Sequence, residues 1–241
     1  TTLDLLRDRN EITLHDALVA AGAYRWTNVR PATLYAYGST LVIPEALFES
    51  PISGTAPAQR IRIDGTLSAN PSDTVDVQAD NVLLHPLSEL VGMNRPVGGV
   101  LNGALALTGG LQRPAITSEL DVSWLSFGTR LLGHLAATTR YDEAASSITL
   151  DAGLAPEAEP LVTRPAYLPA TLRRTERNQL RVRGDIQLPD APDASTSVLE
   201  ASTFDLDVAI DRADLFFFEY IFAEEVENVR GFVAGGGQVS G

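Results

Sequence analysis

The sequence predicts a mostly β protein, built on an antiparallel sheet with a few short helices and an internal repeat. Many segments alternate apolar and polar residues, which is typical of strands with one buried and one solvated face. The turns between these segments are short, which favours antiparallel over parallel pairing. Two distant stretches also carry glycines at the same spacing. Together, these observations predict a sheet assembled from similar units.

The strongest strand signals come from two segments with the same design. Arg60–Ser68 (RIRIDGTLS) and Leu180–Leu188 (LRVRGDIQL) each place isoleucine, valine or leucine on one face, with a glycine in that row. Charged residues and threonine or glutamine occupy the other face. Four further segments alternate in the same way, namely TVDVQA, SELDVSW, SSITLDA and TFDLDVAID. We therefore expect at least six strands with one apolar face.

Helix signals are few and short. The segments Thr13–Tyr24, His85–Val91 and Asp214–Glu227 are each expected to form one to three helical turns. Asp214 is placed to cap the last of them. The proline-rich stretch Ala155–Gln179 has no regular period and predicts a long loop.

The glycine stretches indicate an internal repeat. Each of the glycines Gly99, Gly103 and Gly109 has a counterpart 132 positions later, at Gly231, Gly235 and Gly241. In both copies a strand, an acidic turn, a second strand and a short helix precede the glycine strand. Such self-similarity is typical of modular architectures in which each unit extends a shared core.

Composition excludes several classes of function. The net charge of −13 argues against a nucleic-acid partner, because phosphate binding needs a clustered basic face. The absence of cysteine excludes disulfides, zinc ribbons and thiol catalysis. Met93 is the only methionine, and the sequence is expected to be a piece of a longer protein. No apolar run reaches the ~20 residues of a membrane helix, so any membrane anchor is expected outside this sequence.

No residue pattern supports catalysis. His15 next to Asp16, His85 and His134 are interpreted as structural or solvated, because a general base also needs an oriented nucleophile. The acidic cluster Glu224, Glu225 and Glu227 lacks the spacing of a calcium loop. We expect no catalytic residue, no metal site and no cofactor.

One run of the sequence resembles a known family. GGVLNGALALTGGLQRP followed by alternating strands is similar to the repeats of the TamB and AsmA-like proteins, part of the translocation and assembly module. The similarity covers residues 60–152 and 180–241. The residues that carry it are Gly99, Leu101, Gly103, Leu105, Leu107, Gly109, Leu111 and Pro114.

The resemblance implies a long, strongly curved β-taco sheet with an apolar, groove-like concave side. It implies a bacterial periplasmic segment of an inner-membrane-anchored protein, with roles in outer-membrane biogenesis, protein secretion and lipid transport. The implied partners are phospholipid acyl chains or unfolded outer-membrane protein, and an outer-membrane β-barrel. Residues 1–59 would end a preceding repeat, 60–154 form one groove repeat, 155–179 a loop, and 180–241 the start of the next repeat.

The candidate groove residues are the apolar sets of five strands. They are Ile61, Ile63, Leu67, Leu101, Leu105, Leu107, Leu120, Val122, Trp124, Leu180, Val182, Ile186, Phe204, Leu206 and Val208. A closed sandwich core would use the same residues, so a structural β-sandwich or stalk module of a bacterial surface protein is the alternative. Unpaired edge strands further predict end-to-end self-association.

Overall fold

The described strands form one sheet. The computed structural model describes residues 2–6, 9–21, 24–50, 58–85, 88, 97–109, 115–143, 145–158, 173–174, 178–189, 202–214 and 231–241. Its strands are β1 (Thr2–Leu6), β2 (Arg9–Leu14), β3 (Leu18–Ala21), β4 (Tyr24–Asn28), β5 (Ala32–Tyr37), β6 (Thr40–Ser50), β7 (Gln59–Leu67), β8 (Thr74–Leu83), β9 (Val97–Thr108), β10 (Ala115–Phe127), β11 (Arg130–Asp142), β12 (Ser147–Ala155), β13 (Arg173–Arg174), β14 (Gln179–Gln187), β15 (Thr203–Asp214) and β16 (Phe232–Ser240).

Thirteen strands follow one antiparallel path through this sheet. The order is β1-β2-β5-β6-β7-β8-β9-β10-β11-β12-β14-β15-β16. Strands β3 and β4 form a hairpin that joins the sheet through β6, and β13 lies parallel to β11. The path begins at β1 and ends at β16, so the described sheet is open rather than closed into a barrel.

The predicted mostly β, antiparallel architecture is confirmed. The alternating segments at Arg60–Ser68 and Leu180–Leu188 correspond to β7 and β14, each shifted by one residue. The four shorter alternating segments lie within β8, β10 and β15, and, apart from one leading serine, within β12. Alternation was sufficient here because each strand turns one face to solvent.

The helix predicted at Thr13–Tyr24 is wrong. This segment contains the end of β2, a bend, the strand β3 and the start of β4. The side-chain amide of Asn28 fixes the bend, since its Oδ1 accepts from the Ala17 N–H at 2.8 Å and its Nδ2 donates to the carbonyls of Leu14 and His15. A side chain that substitutes for turn hydrogen bonds favours the extended chain over a helix.

The other predicted helices and the loop lie mostly outside the described residues. Leu84, His85 and Ser88 are helical, in agreement with a short helix after β8. Asp214 ends β15, and residues 215–227 lie outside the described part of the chain. Of the predicted loop Ala155–Gln179, Ala155 and Gln179 end and begin strands, and residues 173–174 form β13.

The two halves of the sheet share their strand registers. Strand β8 pairs with β9 with an irregularity between Ala79 and Val82, and β15 pairs with β16 with an irregularity between Ile210 and Ala213. Every pair in the first set maps onto a pair in the second after shifts of 131 and 132 positions. The bulge that bends the sheet therefore falls at the same place in both halves.

Candidate functional site: the apolar face

One face of the sheet is apolar across most of its width. Directly paired residues of antiparallel strands carry their side chains on the same face. Cross-strand pairing links one such row from β8 to β15 through Val75, Leu107, Ile116, Tyr141, Ile148, Ile186 and Phe204. We call the side of the sheet that carries this row the apolar face, and the opposite side the polar face.

Strand pairing places fourteen of the fifteen candidate groove residues on this face and does not assign Trp124 to either face. By alternation from the paired row, the apolar face carries Ile61, Ile63, Leu67, Leu101, Leu105, Leu107, Leu120, Val122, Leu180, Val182, Ile186, Phe204, Leu206 and Val208. Sequence periodicity therefore predicted correctly which side chains of these five strands share one face of the sheet.

The exception is Trp124. It lies in the bulge of β10 between Val122 and Leu125, has a φ of 58°, and is only 3% exposed. Its backbone N–H donates to Glu157 Oε2 at 2.7 Å. The bulge adds a residue to the strand and so interrupts the alternation on which its assignment to the groove depended.

Among the residues that the structure describes, two clusters bury parts of the apolar face. The first contains Ala32, Ile43, Ala46, Leu67 and Val75, from β5 to β8. The second contains Val122, Leu125, Leu132 and Leu154, from β10 to β12. Burial of this apolar area is the main favourable contribution to folding of such a sheet.

Elsewhere the same face is open to solvent. Leu105 is 36% exposed, Phe204 37% and Val239 48%. All three are large apolar side chains on the apolar face, on β9, β15 and β16. Phe204 and Val239 lie on neighbouring strands, while Leu105 lies several strands away on the same face, so the exposed apolar side chains of this face are candidates for contact with an apolar ligand.

A small polar spot lies within the apolar face beside Leu105. Ser118 pairs with Leu105 on one side and with Thr139 on the other. The Ser118 and Thr139 hydroxyl oxygens are 2.6 Å apart and hydrogen-bonded. This hydrogen bond pairs the donor of one hydroxyl with an oxygen of the other and lowers the cost of a polar spot in an otherwise apolar surface.

Gly99 and Gly103 permit the close approach of a neighbouring strand. A Cβ at Gly103 would lie 2.8 Å from the Glu119 carbonyl oxygen and 3.0 Å from Leu120 Cδ2. A Cβ at Gly99 would lie 2.9 Å from Val122 Cγ1. Both contacts are with β10, so these glycines serve strand packing rather than a phosphate loop.

The other repeat glycines differ in their surroundings. Gly109 and Gly231 flank β9 and β16 and have φ values of 85° and 127°. Gly241 exchanges two backbone hydrogen bonds with Phe204, at 2.9 and 3.1 Å. Around Gly235, no atom of the described residues lies within 4 Å of the position of an added Cβ.

Sequence reasoning missed a row of buried polar side chains at one end of the sheet. Gln59 Oε1 accepts from the Leu83 N–H at 2.8 Å, beyond the bulge of β8. Asn178 Oδ1 accepts from the Asp214 N–H at 2.9 Å, beyond the bulge of β15. Gln59 and Asn178 are 1% and 2% exposed. Their shared position just before Ile61 and Leu180 was the available signal.

The polar face carries ion pairs and two shallow cavities. The cavities measure about 630 and 570 Å³, and both are lined mainly by polar-face residues of β7 to β15. The Arg181 and Arg183 guanidinium groups bind Asp151 Oδ2 at 2.9 Å each. These hydrogen bonds lower the pKa of Asp151 from 3.8 to about 2. The polar face is thus a charged, solvated surface.

The three histidines do not form a catalytic arrangement with one another. His15 lies in the bend after β2, where its carbonyl accepts from Asn28. His134 Nε2 lies 2.8 Å from Asp121 Oδ2 on the polar face. His85 is in the helical turn after β8.

Within the described part of the chain, no group of three or more histidine, aspartate or glutamate side chains is arranged to hold a metal ion. In that same part of the chain, no helix combines the length and apolarity needed to cross a bilayer. The acidic cluster at residues 224–227 lies outside it.

Comparison with protein-family models, with curated proteins and with solved structures finds no match for this chain. The class of molecule defined by the fold is therefore a mostly β protein with one open antiparallel sheet and a partly exposed apolar face. Membership of the TamB and AsmA-like family stays a prediction from the sequence.

Proposed function

We propose that this chain is a non-enzymatic lipid-binding segment whose apolar face shields phospholipid acyl chains from water. The observation that carries the proposal is the exposure of the large apolar side chains Leu105, Phe204 and Val239 on the same face of the sheet. Acyl chains are bound by non-directional burial, worth roughly 0.8 kcal/mol per CH₂ group removed from water. Such binding needs no metal, cofactor or catalytic side chain.

The matching registers of the two halves support a repeating groove as the setting for this function. Strands β7 to β9 and β14 to β16 are proposed to be two copies of one unit, each with a bulge before its glycine strand. Repetition would extend the apolar face along the direction in which strands are added. A periplasmic location and a path for lipid between membranes follow from the family resemblance and share its status as a prediction.

The stalk alternative is less well supported by the described residues. A sandwich buries its apolar face against a second sheet. All of the described strands belong to a single sheet, and the apolar side chains of β9, β15 and β16 remain exposed. This observation favours a ligand over a sandwich partner.

The test is native mass spectrometry of the protein purified from bacterial cells, with extraction of bound lipid. We expect phospholipid to copurify with the wild-type chain and to be lost from the double variant Leu105→Asp/Phe204→Asp. The matched control is Ala104→Asp/Thr203→Asp, which places the same charges on the same strands but on the polar face. Tryptophan fluorescence checks that both variants remain folded.

The control variant should retain the lipid of the wild-type chain. Equal lipid content in both double variants would contradict the proposal, because the charge would then act without regard to the face. A wild-type chain that carries no phospholipid would contradict it directly and would favour the stalk.

A further inference from the structure

Two hydroxyl side chains lie in the middle of the apolar face. Ser118 of β10 and Thr139 of β11 are directly paired, and their hydroxyl oxygens are 2.6 Å apart. We call these two residues the hydroxyl pair. In the same row, Leu105 on β9 and Leu150 on β12 flank the pair. Its neighbours two positions away along β10 and β11 are Ile116, Leu120, Ala137 and Tyr141.

The hydroxyl pair carries one more hydrogen-bond donor than its own bond uses. Each hydroxyl has one O–H and can accept through its oxygen. The bond between the two side chains uses one O–H, whichever residue donates. For the second O–H, the described part of the chain provides no acceptor. Both side chains are half-buried, so water can reach this O–H in the lipid-free chain.

A ligand that covers the apolar face displaces this water. A donor that is buried without an acceptor costs more free energy than a satisfied hydrogen bond contributes. A hydrocarbon chain has no acceptor, whereas the carbonyl oxygen of an ester accepts a hydrogen bond. An acyl chain held through an ester therefore fits the hydroxyl pair better than an alkyl chain without a carbonyl group.

The absence of charge around the hydroxyl pair favours an ester over the carboxylate of a free fatty acid. No charged side chain occupies the apolar-face positions of four described segments around the pair, namely 101–107, 116–122, 135–141 and 148–154. Arg140, Arg181 and Arg183 lie on the polar face. A carboxylate at the pair would lose water without gaining a cation, whereas a neutral carbonyl group needs only the one donor.

We infer that the hydroxyl pair is the hydrogen-bonding site for an ester carbonyl group of a diacyl glycerophospholipid on the apolar face. The inference rests on the proposed lipid binding and adds a selectivity to it. Burial of CH₂ groups is non-directional and does not distinguish one linkage from another. A hydrogen bond is directional, so the pair selects ester-linked lipid and fixes where the ester lies on the face.

The test is a competition between two lipids that differ only in their linkage. Protein freed of lipid is mixed in detergent with equal amounts of dipalmitoyl phosphatidylethanolamine and its dihexadecyl ether analogue. Native mass spectrometry measures the ratio of the two complexes. We expect the wild-type chain to favour the ester roughly three- to tenfold, because the analogue lacks the carbonyl acceptors and its ether oxygens accept more weakly.

Two double variants locate the source of this selectivity. Ser118→Ala/Thr139→Val removes both hydroxyls with little change in volume, and we expect it to bind the two lipids in a ratio near one. The matched control is Thr117→Ala/Thr138→Val, which removes two hydroxyls from the neighbouring positions of the same strands, on the polar face. It should keep the wild-type ratio. Tryptophan fluorescence checks that both variants remain folded.

The possible failures are distinguishable. A wild-type ratio near one would overturn the inference and leave lipid binding intact, since the hydroxyl pair would then serve only the pairing of β10 with β11. The wild-type ratio in Ser118→Ala/Thr139→Val, or the same loss in both double variants, would also overturn it. Binding of neither lipid by the wild-type chain would overturn the proposed function together with the inference.

Discussion

At the scale of single residues, the glycines of the strands differ sharply in how replaceable they are. Gly184 has a φ of 153°, and a Cβ there would lie 2.0 Å from the Asp205 carbonyl oxygen. Gly153 lies on the polar face of β12, where an added Cβ would meet no atom of the described part of the chain within 4 Å. We expect Gly184→Ala to lower the free energy of unfolding by about 1–3 kcal/mol through backbone strain and crowding. Gly153→Ala is the control and should change the free energy of unfolding little. Urea denaturation measures both variants, and equal stabilities would contradict the prediction.

Asp151 allows a prediction about pH. The folded chain holds its pKa at about 2 through hydrogen bonds from Arg181 and Arg183, below the ordinary value of 3.8. A carboxylate with a lowered pKa stabilises the folded state above the unfolded pKa, and this contribution is lost as the pH falls from 3.8 toward 2. We expect an NMR titration of the Asp151 carboxyl group to give a midpoint near 2, and Arg181→Gln to raise it. A midpoint unchanged by Arg181→Gln would show that the ion pair does not form in solution.

At the scale of strands, the bulges depend on a few buried amides. Asn178 donates to the Leu132 carbonyl at 3.1 Å and accepts from the Asp214 N–H, so it joins β11 to β15 at the end of the sheet. Asn178→Ala leaves both groups without this partner, at a cost of about 1–3 kcal/mol each. Gln78→Ala, on the exposed polar face, removes an amide that donates to Asp80 Oδ1 at 3.3 Å and should change stability little. Thermal unfolding compares the two, and similar losses would refute the role given to Asn178.

The strands were predictable from the sequence wherever apolar and polar residues alternate without interruption. In β7 and β14, alternation alone gave the strand and the side of the sheet on which Ile61 and Leu180 lie. The prediction failed at Thr13–Tyr24, where Asn28 determines the bend from a distance of eleven residues and no local period records it. At Trp124 alternation does not assign a face, because a bulge adds one residue to β10, and its place in the groove stays a prediction.

The apolar face itself could be predicted, but its exposure could not. Leu105 and Leu67 look alike in the sequence, as apolar residues of alternating strands, yet they are 36% and 3% exposed. The difference arises from neighbours on other strands, since Leu67 lies in the first buried cluster. Periodicity specifies which way a side chain points, while its burial depends on the whole sheet.

At the scale of the whole molecule, the path of strands predicts unfolding in parts. Along this path each strand is hydrogen-bonded to its path neighbours, and the two buried clusters lie on different strands, β5 to β8 and β10 to β12. Stability in such arrays is close to a sum of nearest-neighbour contributions. Trp26, on β4 beside β6, and Trp124, on β10, are the two tryptophans and report on the two regions separately.

We therefore expect the two buried clusters to respond independently to mutation. Leu67→Ala removes a buried side chain of the first cluster and should cost about 2–5 kcal/mol in the transition reported by Trp26, measured in a Trp124→Phe background. Leu132→Ala, in the second cluster, should act mainly on the transition reported by Trp124, measured in a Trp26→Phe background. Each variant is also measured in the other single-tryptophan background. If either variant shifted the transitions reported by Trp26 and by Trp124 equally, the sheet would unfold as one cooperative unit, which would contradict the prediction. If stability depends on contacts between neighbouring strands, a strand can be added to the sheet without a new core. The added strand needs only the edge strand with which it pairs.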